Sequence, residues 1–308
     1  MSEPIVVGTQ PWLPGAMGRS RWWTAPVPAE RLAALRIALA AVLLLDVLWL
    51  YLPEMGDFFG PNSLAGLRGT EMSSSHWTGW LVAGNEDSSV FYGLGIAWAV
   101  AAGLLLLGCL SRPSAAMAWA LAMLFWTRNP RIHNAGDTVR ITILFYLMLS
   151  PCGAVWSVDS WLRRTGRSGR VYVPPWPLCL LFVQMAAIYS YNGVNKALAS
   201  QWRAGHSLHY VLANLTESRV SFARLPVPDV AIWMLTWAVV AWEVSFPLLV
   251  LRRQTRTAAL LMGVAFHVGI GLTMELGLFA PYMLCLYVPL VPWERLAARP
   301  APLDVASS

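Results

Sequence analysis

An all-α fold, a polytopic transmembrane bundle of about eight membrane helices with cytoplasmic N- and C-termini, is predicted by three features of the sequence. The 308 residues are 57% hydrophobic and only 12% charged, with 17 Trp and a mean hydropathy of +0.53, far from the balance of a soluble domain. Apolar runs of membrane-crossing length recur along most of the chain. Arginines collect in alternate connections between those runs, the bias that orients membrane proteins.

Taken in order, residues 1–27 form a polar, Pro/Gly-rich tail with no cleavable signal peptide, ending with Arg19, Arg21, Trp22 and Trp23. The transmembrane domain then occupies 28–295. Its expected spans are Arg31 to Leu52, Val90 to Leu110, Ser114 to Thr127, Val139 to Ser150, Trp176 to Asn195, Val230 to Leu251, Thr257 to Met274 and Leu278 to Trp293. The third and fourth are short and flank the turn RNPRIHNAGD. The long connection from Pro53 to Ser89 contains an amphipathic stretch, SSSHWTGWLVAG, suited to the outer membrane surface. WSVDSWLRR, Trp156 to Arg164, reads as a short interfacial helix on the inner side. Residues 296–308 are Pro/Ala/Ser-rich and expected to be disordered. No internal repeat or second domain is present.

With the N-terminus inside, the inner segments carry Arg19, Arg21 and Arg31, then Arg112, then Arg163, Arg164, Arg167 and Arg170, then Arg252, Arg253 and Arg256, and finally Arg295 and Arg299. The outer ones carry Glu54, Asp57, Glu71, Glu86 and Asp87 against Arg68, then mixed segments, then Glu275. The bias alternates through all eight spans, as expected of a multi-pass protein of the cell membrane in contact with lipid. The net charge of +6 is thereby explained by topology, and no nucleic-acid partner is expected. Cys109, Cys152, Cys179 and Cys285 have no metal-type spacing and none falls in an outer loop, so neither a metal site nor a disulfide framework is expected of them.

Lys196 is the sole lysine among 22 Lys and Arg residues, and it stands where the apolar run of Gln184 to Leu212 turns polar at Asn192 and Asn195. A lysine is the cation that surrenders its proton when desolvated, which suits a base; a helix-end lysine also serves as a snorkelling anchor. The charge topology puts it on the outer side, where the turn RNPRIHNAGDTVR also lies, so both stretches ring one outer cavity. Within that turn Asn134 and Gly136 suit a tight bend, Asp137 with Thr138 suits a cap on the fourth helix, and His133 is a ligand contact or a solvated loop histidine. Glu243 and His267 fall midway along their spans, where ionisable groups are costly and normally paired, which suggests a Glu243 to His267 contact. Asp46, Gln184 and Asn192 pose the same choice between structural and functional roles. His206 and His209 share a helix face, but a metal would need a third ligand such as His76 or Glu275, and no metal is expected.

The order RNPRIHNAGDTVRITILFYLMLSP, WSVDSWL, YSYNGVNKALASQWRAGHSLHYVL, AWEVSFPLLV, FHVGIGLTM and FAPYMLCLY resembles the HTTM domain, the membrane family that includes vitamin K-dependent γ-glutamyl carboxylase and bacterial relatives. WSVD and GVxK...W...G are its most specific parts. The resemblance implies a reduced quinone, of the vitamin K or menaquinol type, as cofactor. It implies Lys196 as the base at the outer cavity, with Trp202 in the matching W position and Arg203 a candidate cation to keep the amine neutral. It further implies that the deprotonated hydroquinone reacts with oxygen and drives removal of a glutamate γ-proton, so that carbon dioxide adds to a secreted or membrane peptide. The carboxylase uses an Asn-His pair near the place of HNAGD, and either His133 with Asn134 or Gly136 with Asp137 occupies it. The carboxylase also has a lumenal domain that grips its substrate, whereas this sequence runs to Ser308, so the scaffold carries over and the substrate does not. A bacterial member matures a secreted peptide toxin, and the alternative is therefore a non-catalytic membrane component of a peptide maturation, export or immunity system.

Overall fold

The computed structural model describes residues 19–60, 63, 88–163, 169–219 and 227–296. Residues 1–18 and 297–308 of the expected tails, SSSHWTGWLVAG, His76, Arg164 and Arg167 lie outside the described residues. In chain order the described elements are α1 (Arg19–Thr24), β1 (Val27–Pro28), α2 (Ala29–Asp46), α3 (Met55–Phe59), α4 (Ser88–Leu107), α5 (Ser111–Arg128), α6 (Ala135–Leu149), α7 (Val158–Leu162) and β2 (Tyr172–Val173). They continue with α8 (Trp176–Leu198), α9 (Ser200–Arg203), α10 (Ser207–Ala213), α11 (Asp229–Leu251), α12 (Arg253–Thr273), α13 (Phe279–Cys285) and α14 (Trp293–Leu296).

Among the described residues, five helices are long and apolar enough to cross a membrane: Ala29–Tyr51, Ser89–Leu107, Trp176–Leu198, Asp229–Leu251 and Gln254–Thr273. They correspond to five of the eight expected spans. The other three differ for local reasons. α5 runs 18 residues but begins and ends on Ser111-Arg112 and Arg128. α6 has 15 residues, about 22 Å at 1.5 Å per residue, and carries Asp137 and Arg140 in its first two turns. The last expected span is broken into α13, a 3-10 turn at Val288–Leu290 and α14, because Pro289 and Pro292 interrupt the helical hydrogen bonds.

α2 is the central helix. It packs on α4, α6, α13 and the Val288–Leu290 turn, and Leu32, Leu35, Leu39 and Leu43 are buried along it. α4, α5 and α6 pack in sequence beside it, α8 pairs closely with α11, and α11 with α12. α13 touches α2, α6 and α12 and so ties the two halves together. A two-residue antiparallel ladder, Val27 opposite Val173, fixes the entry to α2 against the segment that leads into α8.

The WSVD stretch has a structural explanation. Ser157 caps α7, its Oγ accepting from Ser160 N at 2.9 Å. Asp159 reaches back to the start of α5, where its carboxylate accepts from Leu110 N (2.8 Å), Ser111 N (2.8 Å) and Ser111 Oγ (2.6 Å). Arg36 on α2 donates to Leu105 O (2.6 Å) and Leu106 O (3.0 Å), carbonyls in the last turn of α4, and to Trp156 O (2.5 Å). One end of the bundle is thus closed by a carboxylate on helix N–H groups and a guanidinium on helix carbonyls, each sign matching the dipole it faces.

Partial burial pushes the Asp159 carboxyl up, but the hydrogen bonds from Ser111 and Leu110 reverse that and hold it below the usual carboxylate range. A depressed folded-state pKa stabilises above the unfolded value, near 3.9, and that contribution is lost as pH falls through the folded value. Asp159→Ala is therefore expected to lower stability by about 0.5–2 kcal/mol. Asp159→Asn should also remove part of the stability loss of the detergent-purified protein between roughly pH 4 and pH 2, read by thermal unfolding. An unchanged acid profile in Asp159→Asn rules out the cap.

Candidate functional site

α8 supplies the lysine, and the local sequence explains its position. Tyr189, Asn192 and Lys196 are spaced i, i+3 and i+7, so they share one helix face. Gly193 lies between them against α11: a Cβ there would stand 2.6 Å from Val244 N and 2.8 Å from Glu243 Cβ, so only glycine allows this approach. The contact brings Lys196 level with the middle of α11, where Nζ donates to both Glu243 oxygens at 2.6 and 2.7 Å. The Glu243 side chain is 4% exposed and that of Lys196 22%. Pro247 stands four residues after Glu243 and offers no N–H to its carbonyl.

Beyond Leu198 the backbone becomes extended at Ala199 and refolds as α9 and α10, which pack beside α11. Gly205 has φ +81° and lies against Trp233 of α11, where any side chain would collide with the indole. The refolded segment puts the Trp202 ring 4.9 Å from Lys196 Nζ, a cation–π contact. Lys196, in the last turn of α8, is accordingly a partly buried, paired group. Arg203, expected to crowd the amine, is exposed, and the charge paired with Lys196 is the Glu243 carboxylate.

These groups border a cavity of ≈ 370 Å³ between α6, α8, α11, α12 and α13. Thr138, Val139 and Ile143 come from α6, Gln184, Ile188, Asn192 and Lys196 from α8, and Phe266, His267 and Ile270 from α12. The start of α6 and the end of α8 therefore meet at one cavity. Most of the lining is apolar, with polar groups at a few points, and the volume falls within the roughly 300–1,000 Å³ of small-molecule sites. The Asn192 amide donates to Ile188 O at 2.8 Å.

The expected Glu243 to His267 contact is not formed. Glu243 faces α8 and is taken by Lys196. His267 is 1% exposed and its Nε2 lies 2.7 Å from Tyr189 Oη. Both groups do have partners, as burial in an apolar bundle demands, but each partner comes from α8.

In the polar turn, Asn134 and not Asp137 caps α6. Asn134 Oδ1 accepts from Gly136 N (2.7 Å), while Asp137 Oδ2, three residues on, accepts from Asn134 N (2.8 Å), a reciprocal capping box. The other Asp137 oxygen faces Arg140 at 3.0 Å. Arg140, 1% exposed, donates to Asp46 Oδ2 (2.6 Å) and Tyr51 Oη (2.7 Å), and Tyr282 Oη donates to the same Asp46 oxygen at 2.7 Å. His133 stacks flat on Trp126, with centroids 5.1 Å apart and an 8° interplanar angle, and burial pushes it below the usual histidine range. His133, Asn134 and Asp137 are absent from the cavity lining, which begins at Ala135. His206 and His209 are exposed at α10.

Sequence reasoning missed Arg140, Tyr189, Tyr282 and Tyr287. An arginine three residues after Asp137 in an apolar helix, and a tyrosine seven residues before Lys196, were the signals available for the first two. Tyr282 and Tyr287 carry none, because nothing local marks their partners.

A family model described as the HTTM domain matches residues 24–293 of the chain. No curated protein and no solved structure matches it.

Removing one member of a buried ion pair leaves the other uncompensated, so Lys196→Met or Glu243→Met alone is expected to cost about 3 kcal/mol. Lys196→Met/Glu243→Met together should cost well under the sum, measured as a double-mutant cycle on thermal unfolding. Strictly additive losses would show that the two side chains do not interact. Gly193→Ala should destabilise as well, because it pushes α8 from α11 at the level of the pair.

Proposed function

The chain belongs to the HTTM domain family, and from that premise we propose that this membrane protein is a quinol-linked enzyme of the carboxylase or epoxidase type, with Lys196 as the proton acceptor. The single observation that carries the reading is the meeting of the family-matched lysine and a buried carboxylate at the wall of an apolar cavity. An apolar ring with a polar oxygen fits that donor set: aliphatic and aromatic walls for the ring, and Lys196, Glu243, Tyr189 and His267 for oxygen. A reduced quinone bound there supplies a phenolic hydroxyl whose ionised form reacts with oxygen. A secreted or membrane peptide is the corresponding carboxylation substrate, and the cell membrane the corresponding location.

Lys196 accepts a proton only as a neutral amine, and Glu243 provides the route to that state. In a low-dielectric site a neutral amine beside a protonated carboxyl is far less costly, relative to the ion pair, than it is in water. The Nζ–H bond breaks as an Oε1–H bond forms across 2.6 Å. The freed amine would then be the acceptor for a hydroxyl proton of a ligand held at the cavity wall, with Glu243 keeping the proton that Lys196 gave up. Trp202, stacked on Nζ, keeps the lysine in place while its charge changes. This role replaces the cation crowding that Arg203 was expected to provide.

The closed ion pair also favours a second reading. A lysine held in place by Glu243 keeps one ammonium hydrogen free and suits the binding of a peptide carboxylate, as in a non-catalytic component of a peptide maturation, export or immunity system.

Lys196→Ala is expected to abolish quinol-dependent oxygen uptake by the purified, folded protein. Lys196→Arg keeps the charge but not the base, and should lower turnover on the order of 10²–10⁴-fold, as should Glu243→Gln. Wild-type turnover in Lys196→Ala removes the enzymatic reading. Loss of turnover in Lys196→Ala with activity kept in Lys196→Arg moves the assignment to a charge-binding site.

A further inference from the structure

A second open volume lies at the end of the bundle that Asp159 closes. This groove of ≈ 470 Å³ runs between the start of α5, the turn after α6, and α7, and it shares no lining residue with the cavity at Lys196. Arg112 of α5 and Arg163 at the end of α7 line it, with Asp159 as the carboxylate between them in its lining. The Asp159 oxygens are already taken by Leu110 N, Ser111 N and Ser111 Oγ. The first N–H groups of α5 are therefore occupied, and an incoming anion meets the two arginines instead.

Each guanidinium is held at one edge and open at the other. Arg112 Nε donates to Met148 O at 3.1 Å, and its Nη1 and Nη2 have no hydrogen-bond partner among the described residues. Arg163 Nε donates to Asp159 O (2.9 Å) and Nη2 to Gly153 O (3.1 Å), which leaves Nη1 uncommitted. Both side chains are exposed, and neither is ion-paired among the described residues. Carbonyl contacts fix the two groups without neutralising them, which suits the oxygens of a phosphate.

The rim of the groove is apolar. Leu110 and Leu162 line it and are 62% and 70% exposed. Trp161 is exposed beside Leu162, as are Phe145 and Leu149, one turn apart on α6. Leu110 stands there at φ +48°, a left-handed backbone that costs any residue with a side chain. Ser89–Leu107, a helix long and apolar enough to cross a membrane, ends three residues before Leu110, so the groove stands where headgroups meet acyl chains. A soluble anion gains nothing from exposed leucines at the mouth, whereas a lipid phosphate brings acyl chains to cover them.

We propose that this groove binds the headgroup of an anionic phospholipid, with Arg112 and Arg163 on the phosphate and Leu110 and Leu162 against the start of the acyl chains. A zwitterionic lipid offers the same phosphate but carries a cation that the paired arginines repel. The site is independent of the activity proposed for the Lys196 cavity. Its occupant would hold α5, α6 and α7 together at the surface where Asp159 joins α7 to α5 from within.

The test is native mass spectrometry of the full, detergent-purified chain titrated with dimyristoyl phosphatidylglycerol and, separately, with dimyristoyl phosphatidylcholine. The wild-type protein is expected to prefer the anionic lipid by about tenfold. Arg112→Gln/Arg163→Gln should abolish that preference. Arg252→Gln/Arg295→Gln, which removes two exposed arginines outside the groove, should keep it. Leu162→Gln leaves both arginines in place and should weaken both lipids alike. Arg112→Gln alone, which spares the contacts of Arg163, should lower the preference roughly threefold and carries the test should the double variant fail to fold. Equal binding of the two lipids by the wild-type protein overturns the proposal, and so does an equal loss of preference in the two double variants, the mark of general surface charge. Displacement of the bound lipid by an equal concentration of glycerol phosphate also overturns it, because the groove would then be a site for soluble phosphates.

Discussion

An ionised side chain inside an apolar bundle has to find a counter-charge or carbonyl partners there, and this constraint organises the protein at two levels. Near the start of α6, Arg140 is enclosed by Asp46, Asp137 and Tyr51, with Tyr282 completing the Asp46 carboxylate. Its guanidinium also lies 4.9 Å from the Trp98 ring and 5.0 Å from that of Tyr51. One arginine thereby joins α2, α6 and α13. At the cavity, Lys196 and Glu243 do the same for α8 and α11. Neither cluster could be opened without leaving a charge in a medium that does not solvate it.

The two clusters differ in what they can do. Arg140 cannot lose its proton and is 1% exposed, so its cluster is a fixed joint. Lys196 can lose its proton, has a partner able to receive it, and borders an open volume. The polar turn belongs with the first cluster. Asn134 and Asp137 spend their oxygens on the cap of α6 and on Arg140, and His133 spends its ring face on Trp126. The turn supports the cavity by fixing where α6 begins, and α6 then contributes Thr138 and Val139 to the wall.

Much of this was legible in the sequence, and the remainder was hidden for identifiable reasons. The five long spans follow from apolar length alone, and their boundaries agree with expectation to within a few residues. Lys196, Glu243 and His267 stood out because ionisable residues in apolar runs need partners. Which partner each has was not legible: helix rotation and depth depend on packing, and Gly193, a residue with no side chain to draw attention, decides that α8 meets α11 at Glu243. Arg203 lies in the segment refolded after the helix break at Ala199, where it is exposed, and local sequence does not mark that break. The last expected span is not one continuous helix, because hydropathy does not register Pro289 and Pro292, which break the helix without making the segment less apolar.

The two sequence motifs most specific to the family turn out to have different physical content. WSVD is a pair of caps: Ser157 starts α7, and Asp159 secures α5, with Arg36 closing α4 beside them. Such a motif sets the relative height of α4, α5 and α7 and lies away from the cavity that Lys196 borders. GVNK combines a packing residue with an ion-paired one, and the spacing between them carries the meaning. Gly193 and Lys196 are three residues apart, so the helix face that closes against α11 is also the face that presents the amine. Substituting the glycine would move the lysine from its carboxylate even with the lysine intact. The proton-accepting capacity proposed for this site is therefore a property of the α8–α11 contact as much as of the lysine, and the cavity chemistry follows from helix packing.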